Sequence, residues 1–130
     1  MSGGTATEEQ IMSLAGWIDR IPAPRGVIVD EGAVLRGEEL FNSPELGCTS
    51  CHNGALLTNH QIVTVGTGGA VKVPSLLGVG ARAPYLHTGC AETLRNRFTQ
   101  AACGGGDSHG HTSHLSEAEL SDLIQYLEAL

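Results

Sequence analysis

The run "GCTSCHNG", residues 47–54, limits this chain more than any other feature. Cys48 and Cys51 stand three positions apart, and His52 follows directly. On a helical turn, residues at i, i+3 and i+4 share one face, so two thiols and an imidazole are presented together. Structural zinc, a redox disulfide and covalently held haem each use some of these groups. A zinc site needs two further ligands, from Cys90 and Cys103 or from the histidines of 109–114. Structural zinc modules usually repeat a close-spaced pair, and Cys90 and Cys103 lie too far apart for that. A thioredoxin-like site needs a preceding strand in a βαβ frame, whereas a helix and a loop precede this motif. In c-type attachment each sulfur bonds one vinyl group, and the next histidine faces the iron. C-x-x-C-H is the signature of that arrangement, and it is the preferred reading.

The bulk properties agree. The chain has 130 residues, 18 of them Gly, and only 4% are aromatic, so one domain with a lean core is expected. A prosthetic group would help to fill such a core. The net charge of −7 argues against nucleic acid and suits a redox partner with a basic face. No apolar run reaches the roughly 20 residues of a membrane span. The opening "MSGGTATEEQ" lacks the basic head and apolar stretch of a secretory signal. The sequence is therefore expected to be a piece of a longer chain, or one whose signal was removed.

Helical spacing and caps predict the elements. Thr7 and Gln10 form a capping box ahead of Ile11, Leu14, Ala15 and Ile18, which predicts a helix over 8–20. "RIPAPRG" ends it, because proline cannot continue a helix. A second helix is expected over 31–42, before Pro44. Ile62–Val65 and Ala70–Val73 read as a small hairpin around a glycine-rich turn. "PSLLGVGARAPYLHTG" reads as loop, and "AETLRNRFTQA" as a short helix. Ser116 and Glu119 cap a last helix with Leu120, Leu123, Ile124 and Leu127 in one stripe. There are no internal repeats. The glycines at 104–106 lack the Lys-Ser/Thr of a phosphate loop.

With these segments in view, "RGEELFNSPELGCTSCHNG", "VPSLLGVGARAPYLHTG" and the closing "LSEAELSDLIQYLEAL" resemble a c-type cytochrome domain. The likeness is to the C-terminal haem domain of the di-haem cytochrome c peroxidase and MauG-like group, over about residues 34–130. It implies a mostly α cytochrome c fold with one small β-hairpin, in which N- and C-terminal helices cross and one haem c lies between them. Residues 1–26 look like the last helix and linker of a preceding domain, and 27–130 like a mono-haem domain. Members of the group often carry two haem domains in tandem. This chain has one C-x-x-C-H, a departure that weighs against peroxidase activity.

The resemblance also guides the sites. Cys48 and Cys51 would anchor the haem, and His52 would be the proximal ligand. Met1 and Met12 are the only methionines, and neither stands in the loop that usually supplies the sixth ligand. That loop reads "DSHGHTSHL". His109 is the first choice there, because "HG-x-TS-x-L" recurs in such relatives. His111 and His114 come next, and Met12 last. His87, in "APYLHTG", matches a family motif and is expected near the haem, and Arg82 is a candidate partner for a propionate. Pro74 and Pro84 are expected to shape the pocket, and His60 to lie on the surface. Electron transfer through a six-coordinate iron is the first functional reading. A peroxidase-type enzyme, with an open iron and an acid–base group from 107–114, is the second, and a haem sensor module the third. Attachment of this kind implies a periplasmic or otherwise extracytoplasmic setting, where Cys90 and Cys103 are expected to pair.

Overall fold

The computed structural model describes residues 4–130. Its α-helices are α1 (Glu8–Ile18), α2 (Glu31–Asn42), α3 (Leu94–Thr99) and α4 (Glu117–Ala129). Short 3-10 turns occupy Cys48–Ser50, Val79–Ala81 and Ala101–Cys103. Two strands, β1 (Ile62–Val63) and β2 (Val71–Lys72), pair antiparallel with Val63 opposite Val71. Among the described residues no helix is long and apolar enough to cross a membrane.

The helix ends follow from their side chains. The Gln10 amide donates to Thr7 Oγ1 at 3.3 Å, and the Gln10 side chain accepts from the Thr7 amide at 2.9 Å. Ser116 and Glu119 repeat this box on α4. Asp30 accepts from the Ala33 amide at 3.1 Å and opens α2. Ser43 turns extended ahead of Pro44, the conformation a following proline favours. The expected strands shorten because Gly66, Gly68 and Gly69 all take positive φ and use the middle of the segment as turn. The expected helix over 91–101 shortens to α3 because Thr93 caps it from outside.

The core lies where α2 and α4 cross, the two helices that the resemblance implies should cross. Phe41 and Tyr126 meet with ring centroids 5.2 Å apart, and Leu46 and Leu123 are almost wholly buried beside them. The crossing is close because Gly37 has no side chain. A Cβ there would lie 2.1 Å from the Asp122 carbonyl oxygen. Arg36 closes the outer side with hydrogen bonds to Asp122 at 2.7 and 2.9 Å. The linker after α1 reaches the far end of α4, where the Val27 amide donates to the Glu128 carbonyl at 3.0 Å. Helix α1 itself buries no residue. The crossing thus closes one side of the molecule, and the loops from 47 to 114 build the other.

Candidate functional site

The motif occupies one tight turn. The amides of Cys51 and His52 both donate to the Cys48 carbonyl, at 3.3 and 2.9 Å. Cys48 and Cys51 are free thiols, both half-buried. Burial pushes the Cys48 thiol up, partly offset by the Arg97 charge. His52 is 8% exposed. Its Nδ1 stands 3.1 Å from the Leu57 carbonyl oxygen. That carbonyl is aimed by Leu57 itself, which adopts a left-handed φ of 50°. A branched side chain rarely accepts such a conformation, so the backbone is held there by its surroundings. A backbone acceptor on Nδ1 selects the tautomer that leaves Nε2 as a metal donor. Burial holds His52 below the usual imidazole range, against the pull of the Leu57 carbonyl.

The facing wall is the loop after α3. His109 brings its imidazole opposite that of His52, with ring centroids 6.1 Å apart and planes inclined by 28°. The loop is tied down on several sides. Arg97 donates to the His109 carbonyl, and the His111 amide donates to the Leu46 carbonyl at 3.0 Å. Thr112 donates to the Gly106 carbonyl at 3.0 Å, and Asp107 accepts from the amide and hydroxyl of Ser113. Gly110 takes a φ of 81°, which favours glycine, and an added Cβ there would stand 3.3 Å from the Leu46 carbonyl oxygen. Burial, with the nearby Arg97 charge, pushes His109 down to about 3, so it is a neutral base. Its Nδ1 is buried and has no hydrogen-bond partner.

The other expected residues fall outside this pair. His111 is exposed, and the exposed His114 lies 3.6 Å from Glu45. His87 is exposed, with Nδ1 3.4 Å from Thr67 Oγ1. Arg82 is exposed and donates to the Ser75 carbonyl. His60 is exposed, as expected of a surface residue, and Met12 is exposed on α1. Cys90 and Cys103 bring their sulfurs to 2.13 Å from each other. Among the described residues no three His, Cys, Asp or Glu side chains gather as a metal cluster.

Two features of the site were missed at the sequence level. Arg97 is 7% exposed although it is charged, and its Nη1 is buried without a partner. It sits three residues after Leu94 and next to Phe98, on the apolar face of α3, and that position was the available signal. The left-handed backbone of Leu57 had no signal in the residue type.

No protein-family model matches the sequence. The architecture is a cytochrome c-like fold. It superposes on a hydrazine synthase chain of Kuenenia stuttgartiensis with a TM-score of 0.80 and 24% identity, covering 95% of this chain and 56% of that one. A MauG-like protein associated with microbial copper homeostasis gives 0.63 and 18%, covering 78% and 47%. In sequence, the chain is 30% identical to the hydrazine synthase subunit gamma of the same organism, over 75% of this chain and 41% of that one. It is 25% identical to a cytochrome-c peroxidase of Denitromonas iodatirespirans, over 85% of this chain and 44% of that one. In sequence the chain is thus similar to these two curated proteins, and it spans under half the length of each. These comparisons support a haem protein.

The residues fit a haem iron. Two imidazoles on opposite sides of one metal, at metal–nitrogen distances of about 2.0–2.1 Å, would have ring centroids roughly 6 Å apart. The spacing of His52 and His109 matches this, both imidazoles are held below the usual range by burial, and two free thiols stand in the turn that carries His52.

Proposed function

We propose that the chain carries electrons through one covalently bound haem c. The observation that carries this reading is the pair of neutral imidazoles facing each other 6.1 Å apart. Cys48 and Cys51 anchor the group, His52 is the proximal ligand and His109 the distal one. When bound, haem supplies a one-electron redox centre whose potential is tuned by ligands, burial and hydrogen bonds. Leu57 fixes the orientation of His52. Asp107, Thr112 and Arg97 hold the loop that presents His109. With both imidazoles given to the iron, the chain would leave no position there for a substrate. His ligation in place of Met also favours a low potential. Arg82 and His87 remain candidate contacts to the rim of the group on motif grounds.

The same reading extends outward. Haem attachment through thioethers and a Cys90–Cys103 bond both suit an oxidising, extracytoplasmic compartment. The acidic surface suits a redox partner with a basic face. Residues 1–26 would close a preceding domain of a longer chain, and 27–130 form the mono-haem domain.

A second reading has one observation in its favour, the relative named as a cytochrome-c peroxidase. It needs a sixth position that opens and an acid–base group beside it. One set of measurements separates the two. In holoprotein matured in a periplasm, mass and acid-acetone treatment should find one haem retained, and the oxidised spectrum should be low-spin. His109→Ala should turn the spectrum toward high spin and speed cyanide binding, while His111→Ala and His114→Ala leave it alone. If all three variants stay low-spin, the ligand is elsewhere, with Met12 next in line. A high-spin unmutated protein gives the site to the enzyme or sensor reading.

A further inference from the structure

Arg97 is the one buried arginine of the described chain, and it lies at the candidate site. One guanidinium nitrogen, Nη2, donates to the carbonyl of His109. The guanidinium carbon packs 4.6 Å from the ring centroid of Phe98. The other nitrogen, Nη1, is buried with no acceptor. The ion pairs of the described residues leave Arg97 out, so no carboxylate of those residues neutralises it. Burial pushes its acidity only to about 10, and it is a cation at neutral pH. Its charge acts on Cys48, His52 and His109 alike.

Burying a cation without a counter-charge is costly, and in the poorly screening interior its field reaches nearby groups strongly. The same side chain touches the backbone of the proposed distal ligand. A partner one bond removed from a ligand orients it and tunes the metal.

We propose that Arg97 is a positioning residue of the distal side, one that pins the His109 backbone through Nη2 and holds a fixed positive charge beside the iron. This rests on the reading of His52 and His109 as axial ligands. A fixed cation favours the redox state with less positive charge, which is the ferrous one. Arg97 therefore raises a potential that ligation by two histidines would otherwise leave lower. The pin acts separately, by slowing the excursions of His109 that let an external ligand in.

Two variants of the holoprotein divide these roles. Arg97→Gln removes the charge, and Arg97→Lys keeps the charge but loses the planar guanidinium whose Nη2 bonds the His109 carbonyl. Optically monitored redox titration should find a lower midpoint potential in Arg97→Gln and one close to the unmutated value in Arg97→Lys. Cyanide should bind several-fold faster to both oxidised variants. If Arg97→Gln does not mature, the cyanide rate of Arg97→Lys still decides the pin. A low-spin unmutated protein whose variants keep its potential and its cyanide rate would overturn this inference alone. A high-spin unmutated protein would remove the ligand reading beneath it.

Discussion

Helices α1 and α4 start from nearly the same local instructions and end in opposite situations. Each opens on a capping box, Thr7 with Gln10 and Ser116 with Glu119, and each carries an apolar stripe. Helix α4 buries five residues against α2 and the loops. Helix α1 buries none, and Ile11, Leu14, Trp17 and Ile18 are all more than half exposed. The difference teaches that capping and periodicity specify a helix and the face it will bury, but not what that face meets. For α4 the partner is within the chain. For α1 it is proposed to be a preceding domain, in line with relatives more than twice as long as this chain.

The largest effect should separate the two helices outright. Leu123 is 1% exposed at the centre of the crossing. Leu123→Ala should cost about 2–5 kcal/mol, because the crossing cannot collapse around the cavity. Ile18→Ala on α1 should stay within about 0.5 kcal/mol, the range of surface changes. Denaturant unfolding of the two holoprotein variants checks this. A large loss from Ile18→Ala would mean that α1 has a buried partner in solution, and the contrast would break.

That contrast also marks how far the sequence could be read. Caps and stripes located α1 and α4, the spacing of Leu94 and Phe98 located α3, the stretch ending before Pro44 gave α2, and C-x-x-C-H located the turn of Cys48 and His52, because these signals are local. The glycine run located the hairpin, though not how much of it the turn would consume. What could not be read came from contacts made at long range. The Nη2 bond from Arg97 to the His109 carbonyl spans twelve positions, and the bond from the His111 amide to Leu46 spans many more. The spacing of Arg97 after Leu94 puts it on the inner face of α3, but no residue pattern names what it meets there. The motif put His109 ahead of His111 and His114, but the tethers that set its ring opposite His52 are displayed only by the folded chain.

A smaller effect, with a change of sign, comes from glycine. Gly37 on α2 faces α4, and an added Cβ would also stand 2.7 Å from Tyr126 Cβ. Backbone lies on the other side, so nothing can swing away. Gly37→Ala should therefore destabilise by roughly 1–3 kcal/mol despite the better helix propensity. Gly16 on α1 has nothing within 4 Å of an added Cβ. Gly16→Ala should stabilise, by about 0.5–1 kcal/mol if α1 is formed throughout. Thermal unfolding of both variants gives the two signs. A destabilising Gly16→Ala would again place a neighbour over α1.

The smallest effect is electrostatic. Helix α4 is tied to α2 by Arg36 and Asp122, with Nε to Oδ2 at 2.7 Å, whereas no ion pair of the described residues involves α1. The hydrogen bond from Arg36, aided by its charge, holds the Asp122 carboxyl below the usual range. A carboxyl depressed in the folded state binds fewer protons than in the unfolded chain. Its contribution is thus fully present above the unfolded value of about 3.9 and is lost as pH falls through the lower, folded value. Asp122→Asn should remove that contribution near neutral pH and change less in strong acid, below the lowered folded value. The acid limb of the stability profile should therefore flatten in the variant. It should not vanish, because Asp107 and Glu119 are lowered in the same way by Ser113 and Ser116. Urea unfolding at the two pH values measures the difference. If Asp122→Asn loses as much stability in acid as at neutral pH, the side chain matters through its shape at the crossing rather than its charge, and the ion pair adds nothing to what Gly37 and Leu123 already secure.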